Sequence, residues 1–436
     1  LRAMSACFAK TVSSTDGFSY LWDVRTSNPV GTYTNNVCAP NALTLLGDDM
    51  FLTAQTTRPA IHFWKWNRDQ PALKCTAPEQ ISALVCTSDG AFLFAGTPSG
   101  NILVWEIGTG LLLRTWQAHF RKVGTMCLAG EGEFVVSGGD DGHVHLWSIS
   151  SVLESASRRA LKPDPVRSWT EHTLAISQVA SGLGGASGRV YTASQDRTVK
   201  VWHLHRGTLL ASVLFPSQIL SLALDPAETK IFAGGGDGRV FVVDTLAPTP
   251  TSGVTSFAVV NSIAAHTRGV VSLAVAVDGS TLVSGSADGA KVWDISSGQA
   301  LRSFSQHKGG VSGVICLDRP AILDAVASRR APGFLGVAPL KRFPDLEAEQ
   351  GRGTMLGATC LPVGAWHTTG VGFTTTPMDD LMQEHQQIMV QLHEDQRGER
   401  AGLAERVATL EAEKTQWQRA AQELHHAALQ AVLHDQ

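Results

Sequence analysis

Tryptophan returns along this chain at a nearly fixed interval, and no other feature limits the possible folds as much. The clearest copy of the repeating pattern is YTASQDRTVKVWHL, residues 191–204. A short apolar strand leads into a polar turn at Gln195-Asp196-Arg197. A second strand then runs from Thr198 to Trp202, with Val199 and Val201 on one face and Lys200 and Trp202 on the other. This is period-two patterning around a hairpin. Related stretches are GFSYLWDV (17–24), PAIHFWKW (59–66), SGNILVWEI (99–107), DGHVHLWSI (141–149), DGRVFVVDT (237–245) and DGAKVWDI (288–295). The aromatic or its substitute falls at Trp22, Trp64, Trp105, Trp147, Trp202, Val243 and Trp293, in steps of 42, 41, 42, 55, 41 and 50 residues. The two long steps contain visible insertions, so the underlying period holds.

A unit of ~40–45 residues with a Trp-Asp-like ending resembles the WD repeat, which forms one four-stranded propeller blade. The expected fold is therefore all-β: a seven-bladed WD40 β-propeller over residues 1–317. An irregular strap or linker follows over 318–376, and a helical coiled-coil tail over 377–436.

Composition narrows the function classes. Hydrophobic residues make up 43% of the 436 residues and charged residues 17%, which suits a globular β-rich protein and argues against disorder. The 42 glycines fit many tight turns between short strands. A net charge of −4 argues against a chain-wide grip on nucleic acid, so no direct sequence-specific nucleic-acid partner is expected. Seven scattered cysteines form no CxxC pair and no close Cys/His cluster, so they read as reduced, mostly buried thiols. No apolar run reaches the ~18 residues of a membrane span, so no membrane partner is expected.

Taken in order, residues 1–24 supply the second and third strands of a blade whose first strand is missing at that end. ALRSFSQH, after Trp293, supplies a fourth strand of the last repeat. VSGVICL (311–317) then has no strand following it to pair with. Pairing 311–317 with the opening strands closes the ring and leaves no long sheet edge exposed. Two insertions, at 151–165 and 245–257, read as surface loops, the first with one helical turn. From Pro377 onward Gln, Glu, Ala, Leu and Arg dominate. Leu403, Val407, Leu410, Lys414, Trp417, Ala421, Leu424 and Ala428 alternate in steps of four and three, the spacing of a coiled-coil seam with a polar Lys414 in it. A tail of this length needs a partner surface, its own copy included, so a homodimer through the tail is an expectation.

Three repeats carry the same polar set: His119, Asp141 and Trp147; His172, Asp196 and Trp202; His266, Asp288 and Trp293. Nearby serines such as Ser137, Ser194 and Ser284 invite a hydrolase reading. A catalytic site is usually unique, however, and a set recurring at one period is structural. In WD repeats the turn Asp accepts a hydrogen bond from the His, and a strand Ser or Thr links that His to the Trp. Asp288 lies five residues before its Trp, whereas Asp141 and Asp196 lie six before theirs, so distortion is expected in the last set. The HxH pairs His143/His145 and His203/His205 read as surface or edge residues without a third metal ligand. GGGDG (234–238) has no Lys-Ser/Thr after it and reads as a turn, not a phosphate loop. No catalytic, metal or cofactor site is expected.

The order of features resembles one family, the WD-repeat subunit of the eukaryotic nuclear pre-ribosome complex. It comprises WD repeat-containing protein 18 in animals and the root initiation defective protein in plants. HLWSISSVLE (145–154), WTEHTLAISQV (169–179) and the long stretch 192–244, including the missing Trp at Val243, carry the likeness. HTRGVVSLAVAVDGSTLVSGSADGAKVWD and ERVATLEAE extend it. The resemblance implies a non-catalytic scaffold in the nucleus, nucleolus and nucleoplasm, bound to a large helical-repeat subunit and to the pre-60S particle. It further implies action in pre-rRNA spacer removal and large-subunit maturation, with a replication-licensing role attached to fungal members. The rival within the same fold is another WD40 scaffold, such as a ubiquitin-ligase substrate receptor.

Overall fold

A computed structural model describes residues 7–318, apart from 14–16, 25, 27, 48–49, 155–161, 251–254, 305 and 308, together with residues 337–343. The chain divides into two units after Met355, and the second lies outside the described residues, as does the proposed seam Leu403, Val407, Leu410, Trp417 and Leu424. No helix of the described residues is long and apolar enough to cross a membrane.

The first unit is almost wholly antiparallel strands in up-and-down groups. In chain order they are β1 (Cys7–Ser13), β2 (Phe18–Asp23) and β3 (Pro29–Thr34). Next come β4 (Cys38–Leu46), β5 (Met50–Gln55), β6 (Ala60–Lys65) and β7 (Leu73–Thr76). They are followed by β8 (Ala83–Cys86), β9 (Phe92–Gly96), β10 (Asn101–Glu106) and β11 (Leu112–Gln117). The fourth group is β12 (Val123–Ala129), β13 (Phe134–Gly139), β14 (Val144–Ser148) and β15 (Arg167–Trp169). The fifth is β16 (Ile176–Ser181), β17 (Arg189–Ser194), β18 (Thr198–His203) and β19 (Leu209–Leu214). The sixth is β20 (Ile219–Leu224), β21 (Lys230–Gly235), β22 (Arg239–Pro250) and β23 (Thr255–Ala264). Last are β24 (Val270–Val275), β25 (Thr281–Ser286), β26 (Gly289–Asp294), β27 (Ala300–Phe304) and the final strand β28 (Val311–Asp318).

Among the described residues these strands make six sheets, five of four strands and one of eight. The eight-stranded sheet is β16-β17-β18-β19 joined to β23-β22-β21-β20 through one parallel pair, Ala211 opposite Thr255. The fold is a WD40 β-propeller. Its core lies between sheets: each apolar cluster is shared by two neighbours. Val190 and Trp202 pack with Val136 and Leu146 across one such gap, and Leu21 and Tyr33 pack with Phe51 and Trp64 across another. Strands so placed are buried on both faces, which is why β9 and β10 read as apolar runs and not as clean alternations.

The two ends of the repeat region meet in one sheet. β28 lies antiparallel to β1, with Phe8 opposite Leu317 and Thr11 opposite Val314, and β1 continues to β2 and β3. The first strand of that sheet therefore comes from the far end of the repeat region.

The first insertion carries the helical turn expected of it, and the second departs from the loop expected there. The segment 151–165 begins with a helix, α1 (Ile149–Glu154), whose Ile149 and Val152 are buried against the cluster that holds Trp147. Of the segment 245–257, the residues up to Pro250 extend β22 and those from Thr255 extend β23, and Pro248 pairs with Phe257 beyond a register break at Val243. Pro248 and Pro250 are accommodated where the ladder is already irregular.

Candidate functional site

The recurrent polar set is the most organised group of side chains in the molecule. His119 donates through Nδ1 to Asp141 (3.1 Å), its Nε2 bonds the Ser137 hydroxyl (2.8 Å), and Trp147 Nε1 donates to that hydroxyl (2.9 Å). The next copy has the same form: His172 to Asp196 (2.9 Å), His172 to Thr192 (2.8 Å), Trp202 to Thr192 (2.9 Å). Each Asp also accepts the backbone N–H of the residue after the His, Phe120 or Thr173, and of the residue two places after itself, His143 or Thr198. The carboxylate thus ties a turn to the loop that enters the sheet. Burial alone would raise the pKa of either Asp, but the His hydrogen bond and charge and the N–H donors outweigh it. Both carboxyls are held well below the usual range.

The third set departs from this pattern. His266 bonds Ser284 (2.8 Å) and Trp293 donates to Ser284 (2.9 Å), but among the described residues no group reaches the buried His266 Nδ1. Asp288 instead accepts from the Thr267 N–H (2.7 Å) and hydroxyl (2.6 Å). The cause is the β25–β26 hairpin, where Ser286 already pairs with Gly289. One residue fewer in the turn carries the carboxylate past the imidazole. Asp288 therefore does not belong to the His266–Ser284–Trp293 network.

Two further networks escaped the sequence reading. His307 Nε2 bonds Thr11 Oγ1 (2.8 Å), and Trp22 Nε1 donates to Thr11 Oγ1 (2.8 Å), which fastens the two ends of the repeat region at a side-chain level. In the neighbouring sheet Asn36 stands in for the His. Thr53 donates to Asn36 Oδ1 (2.8 Å), Trp64 donates to Thr53 (2.9 Å), and Asn36 Nδ2 donates across to Ser19 (3.0 Å). A spacing signal was available for His307. It precedes Val311 by four residues, as His119 precedes Val123, His172 precedes Ile176 and His266 precedes Val270, each the first residue of a strand. Asn36 has no such signal.

Trp105 lies in the sheet that lost the hydroxyl. The position opposite Leu103 is Ala95, where the other sheets pair Ser137 with His145 or Thr192 with Lys200. Its indole N–H instead donates to the carbonyl of Lys341 (2.9 Å), in the segment 337–343 that follows the repeats. Leu340 is buried there among Cys75, Ile107 and Leu112. Ala338 N–H donates to Ile107 and Lys341 N–H to Gly110. Among the described residues, the strap between the repeats and the tail is docked over 337–343.

The HxH pairs differ from each other. His205 is exposed and His203 partly so, with His203 Nδ1 accepting the Arg206 N–H. His145, expected at the surface, is wedged between His119 (ring centroids 4.7 Å apart) and Trp147 (5.6 Å), with its Nδ1 buried. Burial, helped by the charge of His119, lowers its pKa to about 4. Among the described residues no group of three His, Cys, Asp or Glu is placed to hold a metal. Ser137, Thr192 and Ser284 are fully buried and already bonded to an indole N–H, so no substrate reaches them.

The family model of the WD domain, G-beta repeat, matches residues 110–148, 163–203 and 257–294. Human WD repeat-containing protein 18 is 34% identical over 352 residues, 79% of each chain. The chain belongs to the WD repeat-containing protein 18 family. Protein ROOT INITIATION DEFECTIVE 3 of Arabidopsis thaliana is 32% identical over 299 residues, 67% of each chain. The pre-rRNA-processing protein IPI3 of Yarrowia lipolytica is 29% identical over 303 residues, 66% of this chain and 70% of its own.

Two outcomes follow from the networks. Asp196→Ala removes the carboxylate from His172 Nδ1 and from the Thr173 and Thr198 N–H groups and costs ~1–3 kcal/mol of stability, whereas Asp288→Ala, at an exposed carboxylate that His266 does not use, stays within ~0.5 kcal/mol. Chemical denaturation measures both, and equal losses would contradict the difference drawn between the two networks. The second concerns pH. Burial lowers the pKa of His62, His145 and His266 from 6.5 to about 4 in each case, with the Lys74 charge assisting at His62 and the Lys291 charge at His266. Between pH 6.5 and 4 the unfolded chain binds protons that the folded one refuses, so their stabilising contribution is complete above 6.5 and falls with pH across that window. Asp141 and Asp196, depressed, keep theirs until the pH drops below ~3.9. His145→Gln should reduce the slope of stability against pH between 6.5 and 4 by up to one proton, about 1.4 kcal/mol per pH unit. Denaturant titrations at several pH values that gave an unchanged slope would contradict this.

Proposed function

We propose that this chain is a non-catalytic, seven-bladed scaffold subunit of a nuclear complex that processes pre-rRNA and matures the large ribosomal subunit. The observation that carries the reading is the 34% identity to human WD repeat-containing protein 18 across 79% of the chain. Fungal relatives in the same set are named pre-rRNA-processing proteins, IPI3 in Yarrowia lipolytica and crb3/ipi3 in Schizosaccharomyces pombe. The blade count treats the eight-stranded sheet as two blades, because a single parallel residue pair joins its halves.

A scaffold of this kind works through its surfaces. The closed strand order holds loops and strand edges in fixed positions, which is where binding usually sits on such a frame. The partners in this reading are a large helical-repeat subunit and the pre-60S particle, and the site of action is the nucleus and nucleolus. RNA cleavage belongs to another component: the hydroxyls nearest the His-Asp pairs here are sealed inside the sheets.

Depleting the protein should raise spacer-containing pre-rRNA on Northern blots and lower free large subunits in sucrose gradients. Unchanged pre-rRNA after full depletion, with a ubiquitin ligase co-purifying, would overturn the reading.

A further inference from the structure

One position of the repeat decides how each gap between sheets is filled. It is the outer-strand residue paired with the residue three before the repeat Trp or its substitute. Register puts Tyr33, Cys75, Trp116, Trp169, Val213, Ile263 and Phe304 there. Where the residue is aromatic, it lies against the Trp of the next sheet. Tyr33 packs on Trp64 (5.9 Å), Trp116 on Trp147 (5.4 Å), Trp169 on Trp202 (5.2 Å) and Phe304 on Trp22 (4.4 Å). Two of these aromatics also satisfy the next sheet's loop carbonyls: Tyr33 donates to Trp66 O (3.0 Å) and Trp169 to Gly207 O (2.9 Å).

Three positions are not aromatic, and each has a different outcome. At Val213 the next sheet has lost its Trp as well, and Val213 packs with Val243, Phe215 and Phe241 in one cluster. At Cys75 the shortfall beside Trp105 is filled by Leu340 of the strap, whose neighbours donate to the carbonyls of Ile107 and Gly110, two and five residues after that Trp. At Ile263 the next sheet keeps Trp293, and the space beside it is open. A cavity of about 210 Å3 lies there, bordered by Val242, Ile263, Trp293, Ile295 and Gly298. Trp293 is 6% exposed, whereas Trp22, Trp64, Trp105, Trp147 and Trp202 are at 2% or less. Ile295 and Gly298 stand two and five residues after Trp293, as Ile107 and Gly110 stand after Trp105, and among the described residues no donor reaches their carbonyls.

We propose that the gap between β20–β23 and β24–β27 is a docking site for a short non-helical segment of a protein partner, which inserts one aliphatic side chain beside Trp293. The occupant would repeat what Leu340 does beside Trp105. The space exceeds the ~150 Å3 apolar cavity that accepts a benzene ring, so it takes a Leu side chain. The backbone on either side would donate to Ile295 O and Gly298 O. The rim selects the flanking charge. Asp244 and Asp294 border the opening with one cation, Lys230, and Asp294 is held ionised, its pKa lowered to about 2 by the hydroxyls of Ser296 and Ser297. A net negative rim favours a segment with a basic residue beside its aliphatic one, the arrangement of Leu340-Lys341-Arg342 in the strap.

The test uses the full chain and a fluorescent peptide with the strap sequence VAPLKRF, residues 337–343. The peptide should bind saturably. Ile263→Trp, which places an indole where Trp169 has one, should weaken binding by about tenfold or more, ~1.4 kcal/mol. No saturable binding would overturn the proposal, as would binding that Ile263→Trp leaves unchanged. Should that variant fail to fold, the same peptide with a photo-crosslinker at the Leu position is applied to the unmodified chain. Adducts on Val242, Ile263, Trp293 or Ile295 support the proposal, whereas adducts confined to other residues, or none, overturn it. The mass of the protein alone is measured against concentration. A dimer that Ile263→Trp abolishes would assign the gap to a second copy of this chain and also overturn the proposal.

Discussion

The indole N–H of each repeat Trp finds an acceptor, and the arrangement of this propeller follows from how each repeat supplies one; Trp116 Nε1, on an outer strand, is buried with no partner among the described residues. The indole brings a large apolar surface that a small four-stranded sheet needs, and with it a donor that costs ~1–3 kcal/mol if left unpaired. Thr11, Thr53, Ser137, Thr192 and Ser284 each meet that donor from the neighbouring strand. The hydroxyl is in turn bonded to an imidazole or an amide, and in two repeats the imidazole is bonded to a turn carboxylate. A need created in the core is thereby passed outward to the loop that leads into the sheet. Where Ala95 removes the hydroxyl, the chain keeps the Trp and recruits a carbonyl from beyond the repeats. Where Ala233 removes it in the next such sheet, the Trp itself is gone and Val243 stands in its place.

The same logic explains how the ring is fastened. β28 supplies backbone bonds to β1, and His307 supplies a side-chain network to Thr11 and Trp22 on the strands it joins. A closed strand order leaves each sheet covered by its neighbours and exposes only short edges. Surface features on such a frame keep fixed spacing, which a subunit holding other proteins in register requires. The gaps between sheets form a second set of sites, filled by the chain's own aromatics at four positions and by Leu340 at a fifth.

The sequence discloses what is periodic and hides what is not. The Trp spacing and the hairpin alternation carry the repeat, because a period-two strand and a fixed unit length leave the same mark each time. The joining of the two ends is readable because no strand pattern follows VSGVICL (311–317) in the sequence. The Asp288 offset is readable as a one-residue change in spacing, although its consequence, a buried His266 Nδ1 with no described partner, depends on where Thr267 lies. Asn36 in the place of a His left no mark, since an amide before a strand is ordinary. The segment 245–257 looked like a loop because its prolines oppose a strand reading, yet they fall where the ladder has already broken. The docking of 337–343 was invisible for a different reason. Its signal is an alanine at position 95, far away in sequence, and only the register shows that a hydroxyl is missing there.

The central claim is that an acceptor for the indole N–H of each repeat Trp holds its repeat together, and Trp105 tests it most directly. Leu340→Asp should expel the strap from its apolar site and remove the Lys341 carbonyl from Trp105. Indole N–H exchange with deuterium, followed by NMR on the full chain, then reads each Trp separately. The account predicts that exchange at Trp105 accelerates sharply while Trp147 and Trp202, bonded to Ser137 and Thr192, keep their protection. Unchanged protection at Trp105, or an equal loss at all three, would contradict it.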